Sequence, residues 1–265
     1  MPEPESFVSR RERSRKKYQP KTTQAVPSLP FNTSRDNRFL SDILNDTTYY
    51  TIEPMTIDCP RLDAIDLARW TNRPVGSEPV LTLHQAWKGP ESNDGGTVRF
   101  AWNGRDLLVQ AILPDQDIFN PSTAFNEEAY LVGDVFEVFI KPVGQEAYYE
   151  FHVTPANQQY QVRFAQDKAG VREGEAHAFT FMDLPIATGV AIDRKNKQWT
   201  VGAQIPLGPL SGHEAVRVGS EWLVSFSRYD YTRTPTGLVI ENYSSSPHQE
   251  LSFHRQQEWS RVRLG

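Results

Sequence analysis

The chain has 265 residues, enough for one large domain or two small ones, and a composition of 38% apolar and 23% charged residues with 14 Phe, 10 Tyr and 6 Trp excludes wholesale disorder. No stretch approaches the roughly 18 uninterrupted apolar residues of a membrane helix, and the single Cys59 excludes an internal disulfide or a cysteine-built structural zinc. The net charge of −5 is uneven: residues 1–40 hold nine basic and four acidic side chains and the rest hold 19 and 29, so the body would repel a phosphate backbone and reads as no nucleic-acid binder.

Residues 1–45 open with a basic run from Arg10 to Lys17 and continue through Pro20, Pro27 and Pro30 without apolar periodicity. That composition predicts a flexible, disordered basic extension ahead of a domain over 46–265. An anionic surface would suit the same run, but few aromatics and no amphipathic stripe accompany it. The first 30 residues lack the apolar core of a secretory signal, so the chain as written reads as cytoplasmic.

From residue 46 the character changes to short runs of Val, Ile, Phe, Tyr and Thr between Gly, Pro, Asn and Asp clusters. They predict strands at 48–53, 80–84, 97–102, 106–112, 134–141, 148–154, 159–164, 188–193, 198–205, 221–229 and 258–264, with short helices near 38–44 and 62–69. Asn103-Gly104 between two such runs predicts a tight hairpin turn. The fold class is therefore all-β, an antiparallel sandwich of jelly-roll or immunoglobulin-like kind.

Alternation along the strands assigns faces. Phe136, Val138 and Ile140 share one side and Glu137 and Phe139 the other; Tyr149, Phe151 and Val153 oppose Tyr148, Glu150 and His152; Tyr160, Val162 and Phe164 oppose Gln161 and Arg163. Pairing as a meander would gather Glu137, Glu150, His152, Gln161 and Arg163 on one polar face with Tyr148 and Phe139 among them. Such a face suits sugar recognition, since rings stack on CH faces and charged groups bond hydroxyls; it suits an ordinary solvated sheet surface equally.

The motifs of chemistry are missing. The six histidines show no paired metal-ligand spacing, and no nucleophile elbow, Walker loop or dinucleotide-binding glycine motif occurs. Carboxylates are plentiful enough for a glycosidase pair, so counting leaves that chemistry open. Asp115-Gln116-Asp117 with Asn120 offers alternating oxygen ligands for a structural Ca²⁺, and reads equally as a plain loop after the strand 106–112. No other cofactor is expected.

Four segments in order, WNGRDLLVQAILPDQD (102–117), GDVFEVFIKP (133–142) with YYEFHVTP (148–155), WTVGAQIPLGPL (199–210), and WLVSFSRYD (222–230) with FHRQQEWSRVRL (253–264), resemble carbohydrate-binding module family 9 and its wider DOMON-like relatives. The resemblance implies a non-catalytic sandwich that binds oligo- or polysaccharide, typically at chain ends, between aromatic rings and polar side chains, in association with glycan-degrading enzymes and usually outside the cell. It aligns Glu137 with the motif carboxylate that bonds sugar hydroxyls and His152 with a position where the family tends to place an Arg. Two departures stand out: the loop before Asp134 holds Phe125 and Tyr130 in place of a Trp, and Tyr243 is the ring nearest to 253. Trp87, ahead of the loop 88–96, is either a stacking ring or core; Trp199 and Trp222 read as core, and Arg228, if buried, requires a carboxylate partner. Haem ligation, known among some DOMON relatives, finds no convincing setting at Met55 or Met182. The alternative to a binding module is a glycan-processing enzyme, or a structural interaction domain on the same sandwich.

Overall fold

Alternating apolar side chains carried on short strands build two facing sheets, seen in a computed structural model that describes residues 56–63, 65–89, 94–166, 179–212 and 214–265. In chain order the strands are β1 (Ile57–Cys59), β2 (Val80–Leu83), β3 (Gly96–Trp102), β4 (Asp106–Pro114), β5 (Val135–Pro142), β6 (Tyr148–Val153) and β7 (Gln159–Phe164). They continue with β8 (Phe179–Phe181), β9 (Ala187–Asp193), β10 (Gln198–Pro206), β11 (Glu221–Thr234), β12 (Gly237–Ser244) and β13 (Ser260–Leu264). One short α-helix, α1 (Leu67–Asn72), lies between β1 and β2. The extension expected over 1–45, the helix at 38–44 and the strand at 48–53 fall outside the described residues.

The larger sheet runs β1-β13-β11-β5-β6-β7-β8, with β12 pairing the far half of the long strand β11; the smaller runs β2-β3-β4-β10-β9. The expected antiparallel sandwich is present, with one parallel pair, β1 beside β13. Between the sheets Phe136, Val138 and Ile140 of β5 and Trp222, Val224 and Phe226 of β11 meet Phe100, Val109, Trp199 and Val201 from the opposite layer. Phe136 stacks on Phe226 at 6.3 Å and 9°, and Phe226 reaches Phe100 at 5.6 Å. Each such ring, fully withdrawn from water, stabilises by about 1.5–3 kcal/mol.

Arg228 interrupts this apolar layer, and the partner its burial requires is there: Nη2 lies 2.8 Å from Asp115 Oδ2 and 3.0 Å from Asp230 Oδ2. Its Nη1 donates to the carbonyls of Gly95 and Pro114. Trp199, Trp222 and Trp102 are core residues, and the Trp102 indole donates to the carbonyl of Gly265.

The hairpin at Asn103-Gly104 forms as expected, with Gly104 at φ +91° and the Asn103 side chain accepting from the amides of Arg105 and Asp106. The helix near 62–69 is displaced to α1, because Asp66 is the residue whose carboxylate caps the amide of Arg69 at 2.8 Å. Helix α1 packs on β10 where Gly202 leaves room: a Cβ there would stand 2.2 Å from Thr71 Cγ2. Three strands were not anticipated. β1 and β8 have three residues each, and β12 carries Leu238, Val239 and Ile240 as a continuous half-exposed run that shows no alternation.

Candidate functional site

The outer face of the larger sheet, expected to be solvated, is covered by loops that turn it into a cleft of about 510 Å³. Glu137 and Glu150 form part of its lining, and register explains their meeting: Glu137 on β5 pairs with His152 on β6, and Glu150 lies two residues before His152 on the same face. His152 Nε2 stands 2.5 Å from Glu150 Oε1 and 3.2 Å from Glu137 Oε1. All three are buried, at 2%, 6% and 1% exposure for Glu137, Glu150 and His152. The other carboxyl oxygen of Glu137, Oε2, has no hydrogen-bond partner, and neither has His152 Nδ1.

Burial raises Glu137 to about 8, with Glu150 pushing the same way and His152 opposing. For His152 burial works against the charged form, but the two carboxylates and the hydrogen bond that the imidazole donates to Glu150 outweigh it and raise the imidazole. These groups behave as one proton-sharing cluster.

Aromatic rings frame the cluster. Tyr160 of β7 stacks on His152 with centroids 4.6 Å apart, which holds the imidazole plane. Tyr130, in the short turn Ala129–Leu131, stands 6.0 Å from Tyr229 of β11 and 6.2 Å from Tyr160, edge-on to His152 at 5.6 Å. Phe253 closes against Tyr229 at 5.5 Å, and His254 Nδ1 is 2.8 Å from the hydroxyl of Tyr148. Burial raises the phenols of Tyr130, Tyr160 and Tyr229, and in each the charges of Glu137 and Glu150 contribute, so the negative field of the carboxyls reaches all three rings. Asn242 of β12 lines the same cleft, with its Oδ1 buried and unpartnered.

The structure brings Glu137, Glu150, His152 and Tyr130 together as the sequence predicted. It separates Arg163, Tyr243 and Trp87 from them. Arg163 pairs with Tyr149 while Tyr160 pairs with His152, so β7 presents Tyr160, Val162 and Phe164 to the cleft and turns Gln161 and Arg163 to the other side. Alternation says which residues of a strand share a face; the pairing register says which face that is, and one residue of offset reverses it. Tyr243 pairs with Arg228 and points into the interior, its ring against Gly95, while its neighbour Asn242 takes the cleft side. Trp87 is half-buried and packs on Phe253 at 6.3 Å, behind the rings that line the cleft.

Tyr160, Phe164, Tyr229, Asn242, Phe253 and His254 line the cleft without having been anticipated. Tyr229 had a signal: it extends the outward series Leu223, Ser225, Ser227 of β11. Phe253 and His254 come from a loop and had none.

Among the described residues, two groups of side chains could hold a cation by spacing: Glu137, Glu150 and His152 in the cleft, and Asp115, Asp134 and Asp230 inside the sandwich. In the second, Asp115 and Asp230 already hold Arg228, and Asp134 accepts from the amides of Phe119 and Tyr231. The Asp115 and Asp117 carboxylates considered for Ca²⁺ diverge, Asp115 to Arg228 and Asp117 to Arg233 at 2.6 Å. A larger recess of about 690 Å³ lies beside Val143 and Trp222, but of its charged side chains Glu214 and Arg217 are exposed and Glu221 is paired with Arg261. No helix among the described residues is long and apolar enough to cross a membrane.

A family model described as carbohydrate family 9 binding domain-like matches residues 68–264. An extracellular protein of Arthroderma benhamiae is 27% identical over 166 residues, 60% of this chain and 73% of that one. Among solved structures, a candidate carbohydrate-binding protein from Bacteroides uniformis superposes with a TM-score of 0.59 at 13% identity, covering 80% of this chain and all of the other. A family 9 carbohydrate-binding module from Caldicellulosiruptor kristjanssonii, solved with cellotriose, superposes at 0.52 with 11% identity over 79% of this chain and 93% of its own; with glucose the values are 0.53, 12%, 80% and 96%.

Proposed function

The chain belongs to the carbohydrate family 9 binding domain-like family, and on that footing we propose that it is a non-catalytic module that binds the end of a glycan chain in the cleft above Glu137. One observation carries the reading: a buried carboxyl oxygen, Glu137 Oε2, has no hydrogen-bond partner, and its residue lines a cleft framed by Tyr130, Tyr160, Tyr229 and Phe253. A buried polar atom without a partner costs about 1–3 kcal/mol, so the site is poised to recover that cost from a ligand hydroxyl. Rings supply the flat apolar walls on which the CH faces of a pyranose rest, and a volume of about 510 Å³ falls in the ordinary range of small-ligand sites. Cellotriose and glucose in the related modules support neutral hexoses as the ligand class.

With few contacts and a solvated ligand, affinity should fall on the order of micromolar to millimolar. Titration calorimetry against an oligosaccharide panel is the test. Saturable heat with the wild type that disappears in Glu137→Ala, with the variant still folded by near-UV circular dichroism, supports the reading. Undiminished binding in that variant places the glycan elsewhere and refutes the site.

A further inference from the structure

The face that holds the cleft continues past it to the edge of the larger sheet. Glu150 of β6 pairs with Val162 of β7 and Val162 with Phe181 of β8, while Tyr148, Phe164 and Phe179 form the neighbouring row. Residues directly opposite one another across paired strands point to the same side, so Phe179 and Phe181 lie on the cleft face. Phe179 is part of the cleft lining, 5.9 Å from Phe164; Phe181 stands 5.3 Å from Phe179 at 77° and 5.8 Å from Tyr160. The two rings are nevertheless 43% and 50% exposed, on a strand that ends the sheet among the described residues and carries no charged side chain. Edge strands are ordinarily blunted by charge or covered, and adjoining exposed rings mark a contact surface. The strip is also held in place: the amide of Met182 donates to the carbonyl of Gln161, and the Asn126 side chain donates to the carbonyl of Met182.

Resting on the glycan-binding reading above, we propose that this strip is a further sugar subsite: the glycan end sits over Glu137 and the chain leaves the cleft across Phe179 and Phe181, so the ligand is a neutral oligosaccharide whose second and third sugars add to affinity. Continuity decides the occupant, because Phe179 belongs to both the cleft and the strip and a chain leaving on this side must pass over the rings. From β5 to β8 is three strand spacings, about 14 Å, more than a single pyranose ring fills. Rings without charged neighbours on their strand suit the CH faces of uncharged sugars, whose hydroxyls stay in water.

Calorimetric titration of the full chain with glucose and with cellotriose reads the subsite as a ratio of affinities. The wild type should bind cellotriose roughly tenfold more tightly than glucose, since each ring contact is worth about 0.5–1.5 kcal/mol. Phe181→Ala, at a ring outside the cleft lining, should cut that ratio about threefold or more, and Phe181→Tyr, which keeps a ring, should hold it. Equal affinity for the two sugars overturns the subsite while leaving glycan binding intact, and so does a ratio that Phe181→Ala leaves unchanged. Sedimentation of the same proteins tests the other occupant: a wild-type dimer that Phe181→Ala dissociates assigns the strip to a second copy of the chain and also overturns the proposal. Binding of neither sugar overturns the glycan-binding reading itself. Should Phe181→Ala fold poorly, Phe181→Leu keeps the apolar bulk without the ring and is to lower the ratio in the same way, an unchanged ratio again counting against the subsite.

Discussion

Glu137 on β5 sits directly across from His152 on β6, carboxyl oxygen to imidazole nitrogen 3.2 Å, and Glu150 meets the same nitrogen at 2.5 Å. One ring therefore serves two buried carboxylates, and a second imidazole, His254 Nε2, stands 3.9 Å from the other oxygen of Glu150. The sharing sets how the protein responds to pH. Glu137 is raised by burial to about 8, Asp134 by burial and Asp115 to about 8, and Asp230 by burial to about 6. His152 is raised as well.

Each of these groups holds its proton more tightly folded than unfolded, so each contributes stability that is full below its unfolded pKa and is lost as pH rises through the folded value. For Glu137 the window runs from the ordinary carboxylate value of 4.5 to about 8. Asp117 has the opposite sign, lowered to about 2 by Arg233, and matters only in strong acid. The thermal midpoint should accordingly be highest in mild acid and fall toward pH 8. Glu137→Gln should be more stable than wild type at alkaline pH, by on the order of a few kcal/mol, and little different near about pH 5. Melting curves across that range check it; identical profiles for the two proteins would remove Glu137 from the account.

Removing the shared ring should act the other way. His152→Ala removes the imidazole that Glu137 and Glu150 share, and breaking a buried pair from one side costs roughly 3–5 kcal/mol. The loss should be severe at neutral pH and smaller in acid, where both carboxyls are protonated. Chemical denaturation at two pH values measures it, and a pH-independent loss would mean that His152 matters only for packing on Tyr160.

How much of this was legible in the sequence depends on which physical rule had to be applied. Glu137, Glu150 and His152 lie on adjacent strands whose apolar partners Phe136, Val138, Phe151 and Val153 fix the inward face, so alternation was sufficient. On β7 the apolar series Tyr160, Val162, Phe164 looked like core and is buried, but under the aromatic loops of the outer face. A protein with a second apolar cluster outside the sandwich defeats the rule that apolar means inward. The loop residues Phe253 and His254 owe their place to tertiary packing on Phe139, at 6.3 Å and 5.4 Å, which no local pattern encodes.

The interior half of β12 offers a packing test. Gly95 touches the face of Tyr243, and a Cβ there would stand 2.2 Å from the ring. Gly95→Ala should destabilise by about 1–3 kcal/mol through overpacking. Combined with Tyr243→Ala the second loss should be smaller than the sum of the single ones, since the clash is gone. Strict additivity in the double-mutant cycle would show that the strain lies elsewhere.

Arg228 distinguishes stability from binding. It ties Asp115, Asp230 and the carbonyls of Gly95 and Pro114 on the inward face of β11, opposite to the cleft. Arg228→Met should destabilise strongly, because the stranded acids must be protonated or hydrated, whereas glycan affinity per folded molecule should hold. Calorimetric titration at a temperature where the variant is folded separates the two, and a loss of affinity without loss of stability would assign Arg228 to the ligand.

The expectation of no turnover follows from the placement of the carboxyls. Hydrolysis of a glycosidic bond needs an acid and a second carboxylate, or a water it activates, on opposite sides of the scissile bond. Glu137 and Glu150 instead stand on neighbouring strands of one floor, their oxygens converging on a single imidazole nitrogen, so neither can reach the far face of a sugar that lies above them. Beside them on the same sheet stand Tyr229 and Asn242, the loops add Tyr130, Phe253 and Ser252, and the described lining holds no further carboxyl. Incubation with oligosaccharide pools should therefore release no new reducing ends, with wild type and Glu137→Gln giving the same baseline. Reducing ends that appear with the wild type and vanish in Glu137→Gln would make Glu137 a catalytic acid and turn the cleft into an active site.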